Sequence, residues 1–294
     1  MKSLLAIEIN STPMCKEAFP LKRVKILTFM VIISCIFIIY YPGLSSPSST
    51  LLQDDLTTVD STMEDIRSLI RNYNVKLSIP VFMYHSISPT GSNDLVVSPK
   101  QFEKQLQTLI NGGFTPITAA ELTTAYEKGT QLPDHPFIIT FDDGYVDNYS
   151  NAFPILKKYK AKATIFVITR TINNGSYLSW NQLKEMENSG LVDVQSHTVN
   201  HINLSTLTPK QIKRELNHSR TILENNLNKP IEAFCYPAGN YNKKVLTYMK
   251  EAGYKMAFTT KPGLANYTKQ GPYELHRIRV FPHQSFTPIL KKYK

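Results

Sequence analysis

From Ile79 onward the chain alternates short, apolar, β-rich runs with amphipathic helical stretches, and this alternation restricts the fold more than any other feature. Strands are predicted at Ile79–Met83, Phe137–Phe141, Ala163–Ile168, Leu191–Gln195, Glu232–Tyr236, Met256–Thr259 and Arg277–Phe281. Helices are predicted between them at Ser98–Asn111, Ala119–Glu127, Ala152–Tyr159, Trp180–Ser189, Pro209–Asn226 and Lys243–Ala252. The helix at Pro209 carries a full start signal: Thr208 as cap, proline at the first position and Gln211 to close a capping box. Repeated strand–helix units of this length favour an α/β fold with a parallel sheet, and about seven strands favour a barrel.

Two motifs sit just past the ends of predicted strands, where α/β folds place their chemistry. Thr140-Phe141-Asp142-Asp143-Gly144 ends the second strand, and His197-Thr198-Val199-Asn200-His201 follows the fourth. Asp143, His197 and His201 make a two-histidine, one-carboxylate set that suits zinc, cobalt, nickel or iron and leaves positions open for water and substrate. Asp142 is then a spare carboxylate beside the metal. Either motif alone is ordinary: an Asp-Asp turn after a strand, or two histidines one helical turn apart on a solvated face. Their joint occurrence at two strand ends is what favours a metal site.

Size and composition describe a globular protein. At 294 residues, with 42% apolar and 19% charged residues, the chain suits one barrel-sized domain or two small ones and is not disordered. The net charge of +10 is compatible with nucleic acid, an anionic membrane surface or a cell wall. No nucleic-acid-reading motif is present and the lysines are scattered, so no nucleic-acid partner is expected. No obligate protein partner is evident either.

The N-terminus indicates the compartment. Residues 26–41 form a charge-free apolar run of 16 residues preceded by Lys22, Arg23 and Lys25. At about 1.5 Å per residue this covers roughly 24 Å of a bilayer core of about 30 Å, with Leu44 and the Lys25 stem to extend it. The positive flank predicts residues 1–25 in the cytoplasm and the remainder outside, on an uncleaved single-pass anchor in the cell membrane. A lipoprotein-like box ending at Cys35 is the competing reading, but the apolar run continues past it. Residues 42–74 read as an extracytoplasmic stalk, rich in Ser, Thr and Pro, with a short helix at Met63–Tyr73. Residues 75–294 read as the folded domain that carries both motifs. Cys15 and Cys35 fall in or before the anchor, leaving Cys235 alone on the exported side, so that domain is held by packing alone.

The motifs resemble those of the polysaccharide deacetylase family (the NodB-homology domain, carbohydrate esterase family 4). The resemblance covers roughly Ser78 to Phe281. It rests on Thr140–Gly144, His197–His201, Pro80-Val81-Phe82-Met83-Tyr84-His85, Ala163-Thr164-Ile165-Phe166-Val167, Gln195-Ser196-His197-Thr198 and Phe234-Cys235-Tyr236-Pro237-Ala238-Gly239. It implies a distorted (β/α)7 barrel, in agreement with the strand count. By position it implies that Asp143, His197 and His201 bind a divalent metal, zinc first with cobalt or nickel as alternatives, and that Asp142 is the general base. The backbone N–H of Ala238, after the motif's proline, is implied as the oxyanion donor. Met83-Tyr84-His85 resembles the poly-N-acetylglucosamine deacetylase subgroup, which implies His85 as the acid for the leaving amine. His276, in Leu275-His276-Arg277, fits the more common position loosely; preceding a predicted strand, it belongs at the opposite end of the barrel.

Two departures from the family pattern stand out. Its third motif usually reads Arg-x-Pro-Tyr-Gly, so the base-orienting arginine and a groove aromatic are missing at Cys235 and Ala238. Arg277 and Arg279 are the remaining candidates for the former, although placement at a strand start or middle counts against both. The Asp-x-x-Asp fourth motif is not evident. Candidate substrate contacts are Tyr84, Tyr236, Trp180 and Asp147 with Asn148, against the plainer readings of core aromatics and turn residues. The expected activity is metal-dependent removal of N-acetyl groups, releasing acetate, from an extracellular N-acetylglucosamine polysaccharide. Poly-N-acetylglucosamine is the first choice and peptidoglycan the second. An acetyl-xylan-type O-esterase and a silent sugar-binding domain are the alternatives; intact Asp142 and His85 count against the latter.

Overall fold

The computed structural model describes residues 78–293 except Ser92. The expectations for residues 1–25, 26–41 and 42–74 lie outside the described residues. Among the described residues no helix is long and apolar enough to cross a membrane.

The chain begins with β1 (Ser78–Ile79), β2 (Val81–Tyr84), β3 (Ser86–Ile87) and β4 (Val96–Val97), which lead into α1 (Pro99–Asn111). Next come β5 (Thr115–Ile117), α2 (Ala119–Lys128), β6 (Pro136–Phe141) and α3 (Phe153–Tyr159). Three further units follow: β7 (Ala163–Val167) with α4 (Trp180–Asn188), β8 (Val192–Ser196) with α5 (Pro209–Leu227), and β9 (Ala233–Cys235) with α6 (Lys243–Glu251). The last elements are β10 (Met256–Pro262), β11 (Ala265–Asn266), α7 (Tyr267–Gln270), β12 (Leu275–Arg279) and α8 (Thr287–Tyr293).

Seven strands close on themselves in the order β2-β12-β10-β9-β8-β7-β6, all parallel, with β6 returning to β2 through Val81↔Ile138 to Tyr84↔Phe141. This is the expected seven-stranded barrel, and closure leaves it without a free edge. The distortion has a visible source. Along one edge of β6, β5 pairs with its first half (Thr115↔Pro136 to Ile117↔Ile138), and β7 takes over at Thr140↔Thr164. The short pairs β1·β11 and β3·β4 lie outside the barrel.

Strand alternation divides the core in two. Val81, Ile138, Phe166, Ala233, Cys235, Phe258 and Leu275 form the cluster inside the barrel. Phe82, Tyr84, Phe137, Ile139, Phe141, Ile165, Val194, Phe234 and Tyr236 point outward and pack against the helices. Each fully buried aromatic or aliphatic chain of this kind contributes roughly 1.5–3 kcal/mol.

The helices start where their caps dictate. Ser98 accepts from the Gln101 N–H ahead of Pro99, and Thr208 and Gln211 form the expected capping box on α5. Several strands differ in their bounds from expectation, and Thr115–Ile117 is a strand not among those expected; the difference that bears on the site is β12, which begins at Leu275, two residues before the predicted start at Arg277. Arg277 is therefore mid-strand and shares the inner face with Leu275.

Candidate active site

The same alternation that fills the barrel delivers the chemistry to its mouth. Inward positions run Val81–Met83–His85 from β2, Ile138–Thr140–Asp142 from β6, Gln195–His197 from β8, Ala233–Cys235 on β9 and Leu275–Arg277 on β12. His85, Asp142 and His197 are thus the lumen-facing residues one step past their strand ends, and Asp142 and His197 are almost fully buried.

Asp143, His197 and His201 converge. The Asp143 Oδ1 atom lies 3.5 Å from His197 Nε2 and 3.3 Å from His201 Nε2. It is buried and accepts no hydrogen bond. His197 Nδ1 lies 2.7 Å from the Cys235 carbonyl; a carbonyl only accepts, so Nδ1 carries a proton and Nε2 is the nitrogen that faces Asp143. An orphaned carboxylate oxygen within 3.5 Å of two imidazole Nε2 atoms fits a divalent metal, and this N,N,O donor set suits zinc, cobalt or nickel. Asp142, His197 and Cys235 also lie close together. Asp142 and Cys235, however, already accept hydrogen bonds from the fixed cation of Arg277.

The histidine pair is not helical. Residues 197–201 form a loop in which Thr198 (φ 71°) and His201 (φ 55°) are left-handed, and the His201 N–H donates to Thr198 Oγ1. This corrects the one-turn spacing expected from sequence. Eight non-glycine residues with positive φ occur among the described residues, and four line this site: Asp143, Thr198, His201 and Ala238. Left-handed backbone costs roughly 1 kcal/mol or more per residue, so surrounding contacts must hold it. One such contact escaped sequence reading. Buried Glu215 on α5 accepts from the Val199 and Asn200 N–H groups, each at 3.0 Å, and from Asn200 Nδ2. Nothing local to the motif signals a carboxylate reaching in from the next helix.

Asp142 is clamped by Arg277, a residue the expected strand start had counted against. Arg277 Nη1 donates to Asp142 Oδ1 at 2.8 Å and Nη2 to Oδ2 at 2.7 Å, with Arg277 fully buried. Burial pushes the Asp142 carboxyl up, but the Arg277 charge and its paired hydrogen bonds outweigh this and hold it well below the usual carboxylate range. His85 Nε2 stands 3.9 Å from Asp142 Oδ2. Burial lowers the His85 pKa, against the opposing pull of Asp142 and Asp143. His276 has the opposite strand parity to Arg277 and lies against Gly263, away from the lumen. Arg279 is exposed, over the Phe281 ring.

Ala238 is exposed in the left-handed turn Pro237–Gly239, at the end of β9. A side chain at Gly239, itself left-handed, would collide with Thr260, which fixes a glycine after Ala238.

Three of the expected substrate contacts are engaged elsewhere. Tyr84 is a correction: it faces outward beside inward His85, packs on Phe102 and Phe141, and donates to Gln105 Oε1 at 2.9 Å. Tyr236 is a second: the residue after inward Cys235 must point outward, and its ring is fully buried between Phe234 and Tyr241. Asp147 is a third. Its carboxylate accepts from Ser86 Oγ, the Ile87 N–H and Asn148 Nδ2, tying β3 to the loop after β6. Asn148 is buried and also donates to the His85 carbonyl. Trp180 starts α4 with its ring half-buried against the outer core. Tyr145, which sequence reading passed over, stacks on Tyr177 beside Asp143; burial and the Asp143 carboxylate push its phenol up to about 12.

Comparison with known proteins agrees with this geometry. Residues 129–257 match the family model described as polysaccharide deacetylase. YxkH of Bacillus subtilis is 40% identical over 207 residues, covering 70% of this chain and 73% of that protein. The poly-β-1,6-N-acetyl-D-glucosamine N-deacetylase of Staphylococcus aureus is 33% identical over 225 residues, covering 72% and 77%. Among solved structures, the Streptococcus pyogenes deacetylase PplD in complex with acetate superposes with a TM-score of 0.70 at 33% identity, covering 74% of this chain and 99% of that one. With its parallel barrel and this constellation at the barrel mouth, the chain belongs to the polysaccharide deacetylase family, hydrolases that act on amide bonds.

Proposed function

We propose that the protein removes N-acetyl groups from an extracellular N-acetylglucosamine polymer, poly-N-acetylglucosamine in the first place, in a metal-dependent reaction. The reading rests on one observation: an Arg277-clamped Asp142 and His85 face each other across 3.9 Å, beside three metal-type ligands on the same rim. A base and an acid within reach of one reacting centre are what hydrolysis of an unactivated amide needs. The poly-β-1,6-N-acetyl-D-glucosamine N-deacetylase named above supports the substrate choice, and PplD holds acetate, the product expected here.

In this reading Asp143, His197 and His201 hold the ion. When bound, a divalent ion supplies Lewis acidity, which lowers the pKa of a water and polarises the acetamide carbonyl. Asp142, kept ionised by Arg277, takes the proton as the water oxygen bonds to the carbonyl carbon. The Ala238 N–H stabilises the oxyanion that develops. His85 gives its proton to the sugar nitrogen as the C–N bond breaks, leaving acetate and a free amine. Residues 26–41 tether the domain outside the membrane, where the substrate lies, and the basic chain lies against an anionic surface.

The test is release of acetate and appearance of free amines on poly-β-1,6-N-acetylglucosamine oligomers and, in parallel, on peptidoglycan glycan strands, with and without a chelator. Activity on the oligomers that the chelator abolishes is expected. Exclusive activity on glycan strands overturns the substrate, and chelator-resistant activity overturns the metal requirement.

A further inference from the structure

Cys235 stands where the family pattern carries the base-orienting arginine, and the structure gives its side chain a defined place in the clamp that replaces it. Arg277 has five N–H donors, and all five are engaged. Nε donates to the Thr259 carbonyl at 2.9 Å; Nη1 donates to Thr140 Oγ1 at 3.0 Å and Asp142 Oδ1 at 2.8 Å; Nη2 donates to Asp142 Oδ2 at 2.7 Å and Cys235 Sγ at 3.0 Å. The fifth acceptor is the thiol. Its own S–H faces Asp142 Oδ2 at 3.5 Å and the Tyr236 carbonyl at 3.8 Å. Arg277 and Cys235 are both fully buried, so no water takes the fifth bond if the sulfur is removed. The Cys235 carbonyl meanwhile accepts from His197 Nδ1 at 2.7 Å. One residue of β9 thus touches both halves of the site, the metal ligand through its backbone and the base through its side chain.

We infer that Cys235 is a positioning residue: its thiol completes the hydrogen bonding of Arg277 and so fixes the orientation of the Asp142 carboxylate toward the reacting centre. The inference rests on the deacetylase reading for its kinetic consequence and on the clamp geometry alone for its structural one. A chain that uses an arginine from β12 needs a small acceptor on β9. A thiol supplies an acceptor and a donor without contributing a second charge.

The experiment compares Cys235→Ala and Cys235→Ser in the full chain. Acetate release on poly-N-acetylglucosamine oligomers is measured together with bound divalent metal, KM and the 15N–1H signals of the Arg277 guanidinium. Cys235→Ala is expected to lower kcat about tenfold, as loss of a hydrogen bond to a charged group does, with KM and metal content unchanged. Serine also accepts and donates, so Cys235→Ser keeps kcat within about twofold of the unsubstituted chain. The Nη2 protons of Arg277 exchange slowly in the unsubstituted and serine proteins and fast in the alanine protein. Equal loss in both variants assigns Cys235 to space filling and overturns the inference, as does an alanine variant with unchanged kcat and unchanged exchange. If the unsubstituted chain releases no acetate, the deacetylase reading fails, and the guanidinium exchange decides the positioning role by itself.

Discussion

Replacing Arg277 by methionine should be among the most destabilising single changes in the domain, and its cost follows from the geometry. The guanidinium is fully buried and forms both bonds of a bidentate pair with Asp142, which is itself only 3% exposed. Methionine fills much of the volume but leaves Asp142 as a buried carboxylate without its cation. Breaking such a pair from one side costs about 3–5 kcal/mol. For a domain of this size that is a fall in melting temperature of roughly 6–20 °C. The measurement is thermal unfolding of metal-free protein, so that no bound ion substitutes for the lost charge. Asp142→Leu should cost a similar amount from the other side. The double variant should cost at least about 2 kcal/mol less than the sum of the two, because no charge is then left uncompensated. The pair also sets a pH dependence. Asp142 titrates in the folded protein below its unfolded value, so the ion pair's stabilisation is complete above the unfolded carboxyl pKa of about 3.9 and is lost as pH falls toward the folded one. Arg277→Met should remove that acid-side slope. A loss below about 1 kcal/mol, or a double variant that costs the full sum, would refute the argument.

Three further outcomes follow from the same geometry. Chelation, or His201→Ala, should abolish acetate release and lower the melting temperature of the metal-loaded protein, read by inductively coupled plasma metal analysis beside calorimetry. His85→Ala should lower kcat by about a hundredfold or more, whereas His276→Ala, which faces away from the lumen, should stay within about twofold; the reverse pattern would move the acid to His276. Glu215→Gln keeps the shape but weakens three hydrogen bonds to the 199–200 backbone and side chain, and should cost about 1–3 kcal/mol together with weaker metal retention in equilibrium dialysis.

The two motifs were legible because their chemistry is local: adjacent carboxylates past a strand, and two histidines at a fixed spacing past another. Their conformation was not, since a four-residue spacing is common to a helical turn and to a left-handed loop, and the contacts that hold the loop, Glu215 from α5 and the backbone N–H groups of Thr169 and Arg170, come from outside the motif. The tyrosine assignments failed for a simpler reason. Tyr84 and Tyr236 are neighbours in sequence of inward residues, and in a strand a neighbour points the other way. Alternation alone, applied from His85 and Cys235, would have sent both to the outer core.

By itself the sequence determined the strand–helix rhythm, the barrel with seven parallel strands and the family, because these depend on hydrophobic periodicity and on contiguous motifs. What tertiary structure decided is which distant residue serves the base. Asp142 and Arg277 are 135 positions apart. They meet because closing the barrel sets β12 beside β2 and β2 beside β6, and because strand alternation puts Arg277, with Leu275, on the lumen face. Register and closure are properties of the whole sheet, so the residue that completes the site is fixed only when the barrel is.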